Sequence, residues 1–192
     1  MSEKPSGIIE RMNKKLTIPI AGLLVNISWI TPNGITWMSA LVAGVLGPWA
    51  IIAGLNLTAA ILVLIGAWLD SLDGDLARAR QCGTKEGEIL DAVLDRYIDF
   101  FIIAALIWQT PACLLVGLAA LLGNQMVPYL RARTEATGKS SVATFGSRDI
   151  RNMILVVGLI GGWYCALLFV LAVITNASAI HRFYNATKKV QT

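Results

Sequence analysis

The chain has 192 residues, of which 56% are hydrophobic and only 15% are charged, and its formal net charge is +4. A mean hydropathy of +0.65 is too high for a soluble globular domain and indicates an integral membrane protein. The sequence pI near 9.1 is that of many nucleic-acid-binding proteins, but no nucleic-acid-binding motif accompanies it, so we expect no nucleic-acid partner.

The N-terminal region, residues 7–30, joins an amphipathic start to a short apolar end, and Pro19 interrupts it. A helix needs about 20 apolar residues to cross a bilayer, and this apolar end is shorter. We therefore expect an amphipathic helix that lies in the interface of the cytoplasmic leaflet. The sequence TPN at residues 31–33 then predicts the end of this helix and the start of the first membrane span.

Three long segments without charged residues, 16–69, 100–130 and 152–180, predict the membrane-crossing part of an all-α protein. Turns are expected at GLN (54–56), at QTPAC (109–113) and at Gly161–Gly162. The chain is then a single membrane domain over residues 1–192 with six transmembrane helices. The predicted spans are about 35–54, 57–80, 88–108, 112–133, 148–161 and 163–187. If Gly161–Gly162 is not a turn, a single long helix there would give five spans and an external C-terminus.

The distribution of basic residues predicts the orientation in the membrane. With six spans, all 16 lysines and arginines lie on one face, and the three turns on the other face carry no charge. By the positive-inside rule the charged face is cytoplasmic. We expect a multi-pass protein of the cell membrane with both termini inside.

Four aspartates stand at the cytoplasmic ends of the second and third predicted spans. Asp70 and Asp73 share one face of the second helix, and Asp91 and Asp95 share one face of the third. Because only a short loop, QCGTKE, joins the two helices, they are expected to be antiparallel neighbours whose four carboxylates converge. Asp75 is expected to point away from this group, toward water or a basic neighbour.

Four converging carboxylates repel one another unless cations neutralise them. Oxygen ligands favour Mg²⁺ or Mn²⁺, and four acids are enough for two ions. Small residues on the same faces, Gly74, Ala77 and Gly87, leave room for a ligand, and Arg78 can contact a phosphate group. The pattern thus predicts a phosphorylated ligand bridged by metal. The alternative is a pair of salt-bridged helix ends, in which Arg78, Arg80 and Arg96 neutralise the acids.

Eight of these residues follow the pattern D-x2-D-G-x2-A-R-x8-G-x3-D-x3-D without a gap: Asp70, Asp73, Gly74, Ala77, Arg78, Gly87, Asp91 and Asp95. This pattern resembles the signature of the CDP-alcohol phosphotransferase (CDP-alcohol phosphatidyltransferase) family. The resemblance implies a homodimeric membrane enzyme in which an acceptor hydroxyl displaces CMP from a CDP-linked donor. The donor would be of the CDP-diacylglycerol, CDP-archaeol or CDP-inositol type.

The same resemblance implies roles for single residues. The metal ligands would be Asp70, Asp73, Asp91 and Asp95, with Asp95 also acting as the general base. The CDP moiety would be bound by Asp73, Gly74, Ala77, Arg78 and Gly87. Asp99, one turn further along the third span, lies outside the pattern, and we expect it to have a structural role.

Five basic residues on the cytoplasmic face are candidates for binding the phosphate of an acceptor: Lys85, Arg131, Arg133, Arg148 and Arg151. The pattern Y-x-R-A-R-x-E-x-x-G at 129–138 and K-x-G at 85–87 resemble the branches of the family that use inositol phosphate, a phosphorylated polyol. SRDIR at 147–151 differs from the E-R-x-x-R type of the lipid-making branch, so a soluble donor stays open. Glycerol 3-phosphate is the alternative acceptor, and ordinary positive-inside charge is the alternative explanation of these residues.

Two other classes of membrane protein compete with an enzyme. A divalent-cation transporter also clusters aspartates between helices, but such acids are more typical of the bilayer midplane and of inverted repeats or broken helices. A scaffold protein would leave the eight-residue pattern unexplained.

The three cysteines, Cys82, Cys113 and Cys165, are scattered and odd in number. This spacing predicts neither a disulfide framework nor a zinc site, and we expect packing roles.

Overall fold

The computed structural model describes residues 8–142 and 147–188, and all regular structure in these residues is helical. The predicted domain also includes residues 1–7, 143–146 and 189–192, which lie outside the described residues. The α-helices are α1 (Ile8–Leu24), α2 (Pro32–Leu41), α3 (Gly47–Ile52), α4 (Asn56–Ala79), α5 (Lys85–Gln109), α6 (Leu114–Ala136), α7 (Arg148–Gly161) and α8 (Tyr164–Thr187).

The first predicted span, 35–54, is not one uniform helix. A π-helical turn, Val42–Leu46, joins α2 to α3, and the Gly47 N–H donates to the Val42 carbonyl five residues back. Pro48 follows at once, and its ring nitrogen has no hydrogen to donate to the carbonyl four residues earlier. The wider π-helical turn before the proline accommodates its ring without interrupting the helical path from α2 to α3.

The helix termini follow local sequence signals. Thr31 and Thr84 are the N-caps of α2 and α5, and each side-chain oxygen accepts from the N–H three residues later. Gly162 ends α7 in the left-handed conformation with φ 66°. The structure therefore has a break between α7 and α8, where a single long helix was the alternative.

Within the described parts of the chain, four helical stretches are long and apolar enough to cross a membrane: Pro32–Ile52, Asn56–Ala79, Pro111–Ala136 and Tyr164–Thr187. These stretches are consistent with an integral membrane protein. Helix α5 is equally long but begins with a charged segment, and α7 has only 14 residues.

The helices pack around one apolar core and a smaller cluster beside it. The core includes Val63 of α4, Leu106 of α5 and Leu168 of α8, all at most 2% exposed. The smaller cluster joins Ala21 of α1 to Leu76 of α4. Helix α1 is therefore packed against the charged end of α4.

A disulfide bond at the uncharged end of the bundle contradicts the prediction that the cysteines only pack. Cys113 and Cys165 are bonded across 52 residues and join the turn before α6 to the first turn of α8. The two residues meet because α6 and α8 run parallel and begin at the same end of the bundle, as the contacts of Ala119 with Asn176 and of Lys139 with Ala186 show. The spacing of the cysteines in sequence does not reveal this. Cys82, in the loop between α4 and α5, is a free and exposed thiol.

Candidate active site

Three of the four aspartates form a compact group where α4 and α5 lie side by side. Asp70, Asp91 and Asp95 each offer a carboxylate oxygen, and these atoms all lie within 4.8 Å of one another. Asp70 is half-buried, whereas Asp95 is 8% exposed. Helical spacing explains the arrangement, because Asp91 and Asp95 are one turn apart on α5 and face the end of α4.

Asp73 has a different environment from the other three acids. Its Oδ2 accepts a hydrogen bond of 2.6 Å from the hydroxyl of Thr36 on α2, and both side chains are buried. It is still close enough to Asp91 for an electrostatic interaction. Thr36 therefore orients the carboxylate of Asp73 at the edge of the group.

The three-aspartate group fits a hard divalent cation. Its donors are all carboxylate oxygens, the ligand type that Mg²⁺ and Mn²⁺ prefer. The buried Oδ1 of Asp91 has no hydrogen-bond partner among the described residues. A buried carboxylate oxygen without a donor is costly, and a cation would satisfy it.

Arg148, at the start of α7, is the main positive charge in the group. Its Nη1 lies 2.6 Å from Asp70 Oδ2, and its Nη2 lies 2.6 Å from Asp95 Oδ1. Arg148 was predicted as a ligand of the acceptor phosphate, and the structure brings it directly onto two of the predicted metal ligands. A cation bound by these carboxylates would therefore compete with Arg148 for the same oxygens.

The arginines of the salt-bridge alternative are mostly engaged elsewhere. Arg78 pairs with Asp75, outside the three-aspartate group. Arg80 donates to four backbone carbonyls at the end of α1 and in the turn after it. Only Arg96 is near, with its Nη2 at 3.8 Å from Asp95 Oδ2. Arg78, Arg80 and Arg96 thus do not neutralise Asp70 or Asp91.

The two glycines of the pattern differ in how closely other groups approach them. A Cβ on Gly74 would lie 3.5 Å from the guanidinium nitrogens of Arg78, so this side chain lies over bare backbone. A Cβ on Gly87 would lie 3.1 Å from the side-chain oxygen of Asn33. Ala77 is half-buried on the same helix as Gly74.

The other predicted acceptor residues divide into two sets. Arg151 is buried, with its Nη2 at 3.7 Å from Asp99 Oδ2, so Asp99 holds an arginine beside the site. Arg131 is exposed and pairs with Glu135 on its own helix at 2.9 Å. Arg133 and Lys85 are exposed as well, at the charged end of the bundle.

Sequence reasoning missed several residues at this site. Asn33 and Thr36 lie in the first turns of α2, where the TPN sequence at 31–33 predicted only the start of a helix. Asp75 pairs with a basic neighbour, Arg78, as expected. Its burial and the hydrogen bond that it accepts from the buried Thr17 were not predicted. Arg182 on α8 lies close enough to Arg131 and Arg151 to repel them. In the sequence, its position just after a charge-free segment predicts only the orientation in the membrane.

Comparisons with known proteins agree with the family resemblance of the sequence pattern. The family model of CDP-alcohol phosphatidyltransferase matches residues 29–183. A bifunctional IPC transferase and DIPP synthase of Aquifex aeolicus is 36% identical over 95% of this chain. The chain spans only 45% of the length of that relative. A phosphatidylinositol phosphate synthase of Corynebacterium glutamicum is 32% identical, over 73% of this chain and 67% of its own length.

Solved structures show the same fold. A phosphatidylinositol phosphate synthase of Mycobacterium tuberculosis, in complex with manganese and citrate, superposes with a TM-score of 0.79 at 25% identity. That match covers 91% of this chain and 93% of the mycobacterial chain. The same enzyme with CDP-DAG bound also gives a TM-score of 0.79, at 24% identity. The sequence pattern, the helical fold and these matches together establish that the chain belongs to the CDP-alcohol phosphatidyltransferase family.

Proposed function

We propose that this protein transfers a substituted phosphate group from a CDP-linked donor to a hydroxyl of inositol phosphate and releases CMP. The observation that carries the proposal is the group of Asp70, Asp91 and Asp95, whose ligand oxygens lie within 4.8 Å of one another, with Arg148 ion-paired to Asp70 and Asp95. Carboxylates that hold a cation beside an arginine are suited to a diphosphate and to a second phosphate. The manganese complex of the mycobacterial relative supports the use of a metal.

Asp70, Asp91 and Asp95 would hold one or two ions of Mg²⁺ or Mn²⁺ together with Asp73. When bound, the metal supplies positive charge that neutralises the diphosphate and the departing CMP. The CDP moiety would lie against Gly74, Ala77 and Gly87, where the helix backbones have little side-chain cover, with Asp73 and Arg78 beside it. The structure of the relative with CDP-DAG bound supports a CDP-linked lipid as the donor.

Asp95 would act as the general base. It takes the proton of the acceptor hydroxyl, while the hydroxyl oxygen forms a bond to the donor-side phosphorus of the diphosphate. The bond from that phosphorus to the bridging oxygen breaks, and its electron pair leaves with CMP. Protons and charge balance without any further reactant, because the carboxylate accepts the proton that the hydroxyl loses.

A phosphate on the acceptor would be held by Arg148 and Arg151. The Nη2 of Arg148 is 2.6 Å from Asp95 Oδ1, so a phosphate bound there brings a neighbouring hydroxyl close to the base. Arg131, Arg133 and Lys85 would add to the positive potential of the entrance. Relatives named for inositol phosphate chemistry support this choice of acceptor.

In the membrane, we propose six spans, with α2 and α3 forming the first and α5 and α7 crossing beside the four more apolar stretches. Helix α1 would lie in the interface of the cytoplasmic leaflet, and the site would face the cytoplasm. The protein would act as a homodimer, in keeping with its family.

The test is CMP release by the purified protein with Mg²⁺ or Mn²⁺ and a CDP-linked lipid, comparing inositol phosphate, free inositol and glycerol 3-phosphate. The proposal expects inositol phosphate to be the best acceptor. Equal rates with free inositol would refute phosphate binding by the arginines, and preference for glycerol 3-phosphate would identify the alternative acceptor. Cation flux into liposomes without CMP release would identify a transporter.

A further inference from the structure

A buried acid on the far side of α4 links α1 to the proposed nucleotide site. Asp75 is 7% exposed, and each of its carboxylate oxygens has a partner. Oδ2 accepts a short hydrogen bond from the hydroxyl of Thr17, a fully buried residue of α1. Oδ1 accepts from Nη2 of Arg78 at 2.7 Å.

This contact differs from an ordinary surface ion pair between residues three apart on a helix. Such pairs join two exposed side chains and contribute little to the stability of the fold. Here the side chain of Asp75 is 6% exposed, whereas that of Arg78 is 67% exposed. A buried carboxylate that is held by a second helix therefore anchors a guanidinium that lies open to solvent.

The anchored guanidinium lies on the proposed CDP side. Its nitrogens are 3.5 Å from the position that a Cβ on Gly74 would occupy, so they rest above the glycine backbone beside Asp73. Without Asp75, the long side chain of Arg78 would be free to adopt many rotamers, since more than half of it is exposed. Holding one rotamer in advance lowers the entropy cost of binding a phosphate.

The position of α1 is itself held at this point. Arg80 donates to the carbonyls of Leu24, Val25, Ile27 and Ile30 at distances of 2.6–3.1 Å, and so joins the end of α1 to the end of α4. Ala21 is 1% exposed, one turn after Thr17 on the same face. The Thr17 hydroxyl is thus presented to Asp75 by a helix with two independent attachments.

We infer that Thr17 and Asp75 are positioning residues for CDP binding, which act by orienting the guanidinium of Arg78. The inference rests on the proposed function, because it takes Arg78 as a ligand of the donor diphosphate. Helix α1 is then part of the nucleotide site as well as a membrane-surface element. No step of the reaction changes; only the affinity for the CDP moiety depends on these two residues.

The test measures CDP affinity in the presence of Mn²⁺ by titration calorimetry, together with KM and kcat for the donor. Thr17→Val and Asp75→Asn should each weaken CDP binding about tenfold, as expected for a lost bond to a charged group. Both should raise KM with kcat little changed. Thr17→Ser keeps the hydroxyl and should retain the wild-type affinity for CDP. Thr110→Val removes a similar hydroxyl at the other end of the bundle and should not change the CDP affinity.

The deciding comparison uses Arg78→Gln as the background. If Thr17 and Asp75 act through Arg78, adding either substitution to Arg78→Gln causes no further loss of CDP affinity. A further tenfold loss in that background would mean a general structural role and overturn the inference. Unchanged CDP affinity in the single variants would overturn it as well. If the wild-type protein binds Mn²⁺ but no CDP, the proposed function itself fails along with the inference. Unchanged Mn²⁺ affinity shows that each variant is folded.

Discussion

Asp95 is the residue on which the proposed chemistry depends most. Asp95→Asn keeps the size of the side chain and removes its ability to accept a proton, so we expect turnover to fall about 10²–10⁴-fold. CDP binding should be retained, because the nucleotide residues are unchanged and Asp70, Asp73 and Asp91 still hold the metal. CMP release and CDP titration measure the two effects. Glu88→Gln, an exposed acid on the same helix, is the matched control and should keep its activity. Wild-type turnover in Asp95→Asn would disprove the general-base role.

A second prediction concerns Arg148, which contacts both Asp70 and Asp95. In Arg148→Gln the cation that competes for these carboxylates is gone, so Mn²⁺ should bind more tightly. The KM for inositol phosphate should rise at least tenfold, since a charged hydrogen-bond donor is lost. Lys188→Gln removes the same charge from the end of α8 and should change neither value. Weaker Mn²⁺ binding in Arg148→Gln would contradict this account.

The sequence predicts only some of the side-chain contacts in the site, as a comparison of Asp91 with Asp73 shows. Helical spacing and a short loop are sufficient to bring Asp70, Asp91 and Asp95 together. The hydrogen bond from Thr36 to Asp73, the pairing of Arg148 and the contact of Thr17 with Asp75 join segments 37 to 78 residues apart. Such contacts depend on how helices pack, and helical periodicity carries no information about them.

At the level of helices, close crossings were only partly predictable. Glycines in apolar helices permit close approach, and a Cβ on Gly44 would lie 3.1 Å from the side chain of Ile98. The crossing at Gly66 is tighter, because a Cβ there would clash with the Cβ of Ala43. The partner of Gly66 lies in the π-helical turn, which the apolar sequence of the first span did not reveal. A uniform apolar composition predicts that a helix exists and leaves its contact face open.

This crossing can be tested directly. Gly66→Ala should destabilise the protein by about 1–3 kcal/mol, because the methyl group has no room beside Ala43. Thermal unfolding in detergent measures the change in apparent Tm. Gly22→Ala is the control: apart from its chain neighbours and the adjacent backbone of α1, no atom of the described residues lies within 4 Å of its added Cβ, and alanine is the better helix former. An apparent Tm for Gly66→Ala at or above that of the wild type would show that α4 and the π-helical turn do not approach this closely.

For the whole molecule, the states of the three cysteines predict the orientation in the membrane. Cys82 is an exposed thiol in the loop at the acidic end, whereas Cys113 and Cys165 form a disulfide at the other end. Disulfides persist in oxidising compartments, so we expect the bonded pair outside and Cys82 inside. The disulfide also supplies a signal about orientation that is independent of the positive charges.

Thiol labelling of sealed right-side-out vesicles tests this arrangement. A membrane-impermeant maleimide should label Cys82 only after permeabilisation, and it should label Cys113 and Cys165 from outside once an impermeant reductant is added. Cys82→Ser should remove the first signal and leave the second. Labelling of Cys82 in intact vesicles would place the acidic site on the outer face.

The proposed reaction requires that the adjoining ends of α4 and α5 hold divalent cations that bind a diphosphate. Diffraction at the manganese absorption edge from crystals grown with Mn²⁺ and CDP tests this requirement. We expect an anomalous peak among Asp70, Asp91 and Asp95, with the CDP phosphates in contact with it. Ordered CDP elsewhere, or no manganese among these three carboxylates, would contradict this expectation.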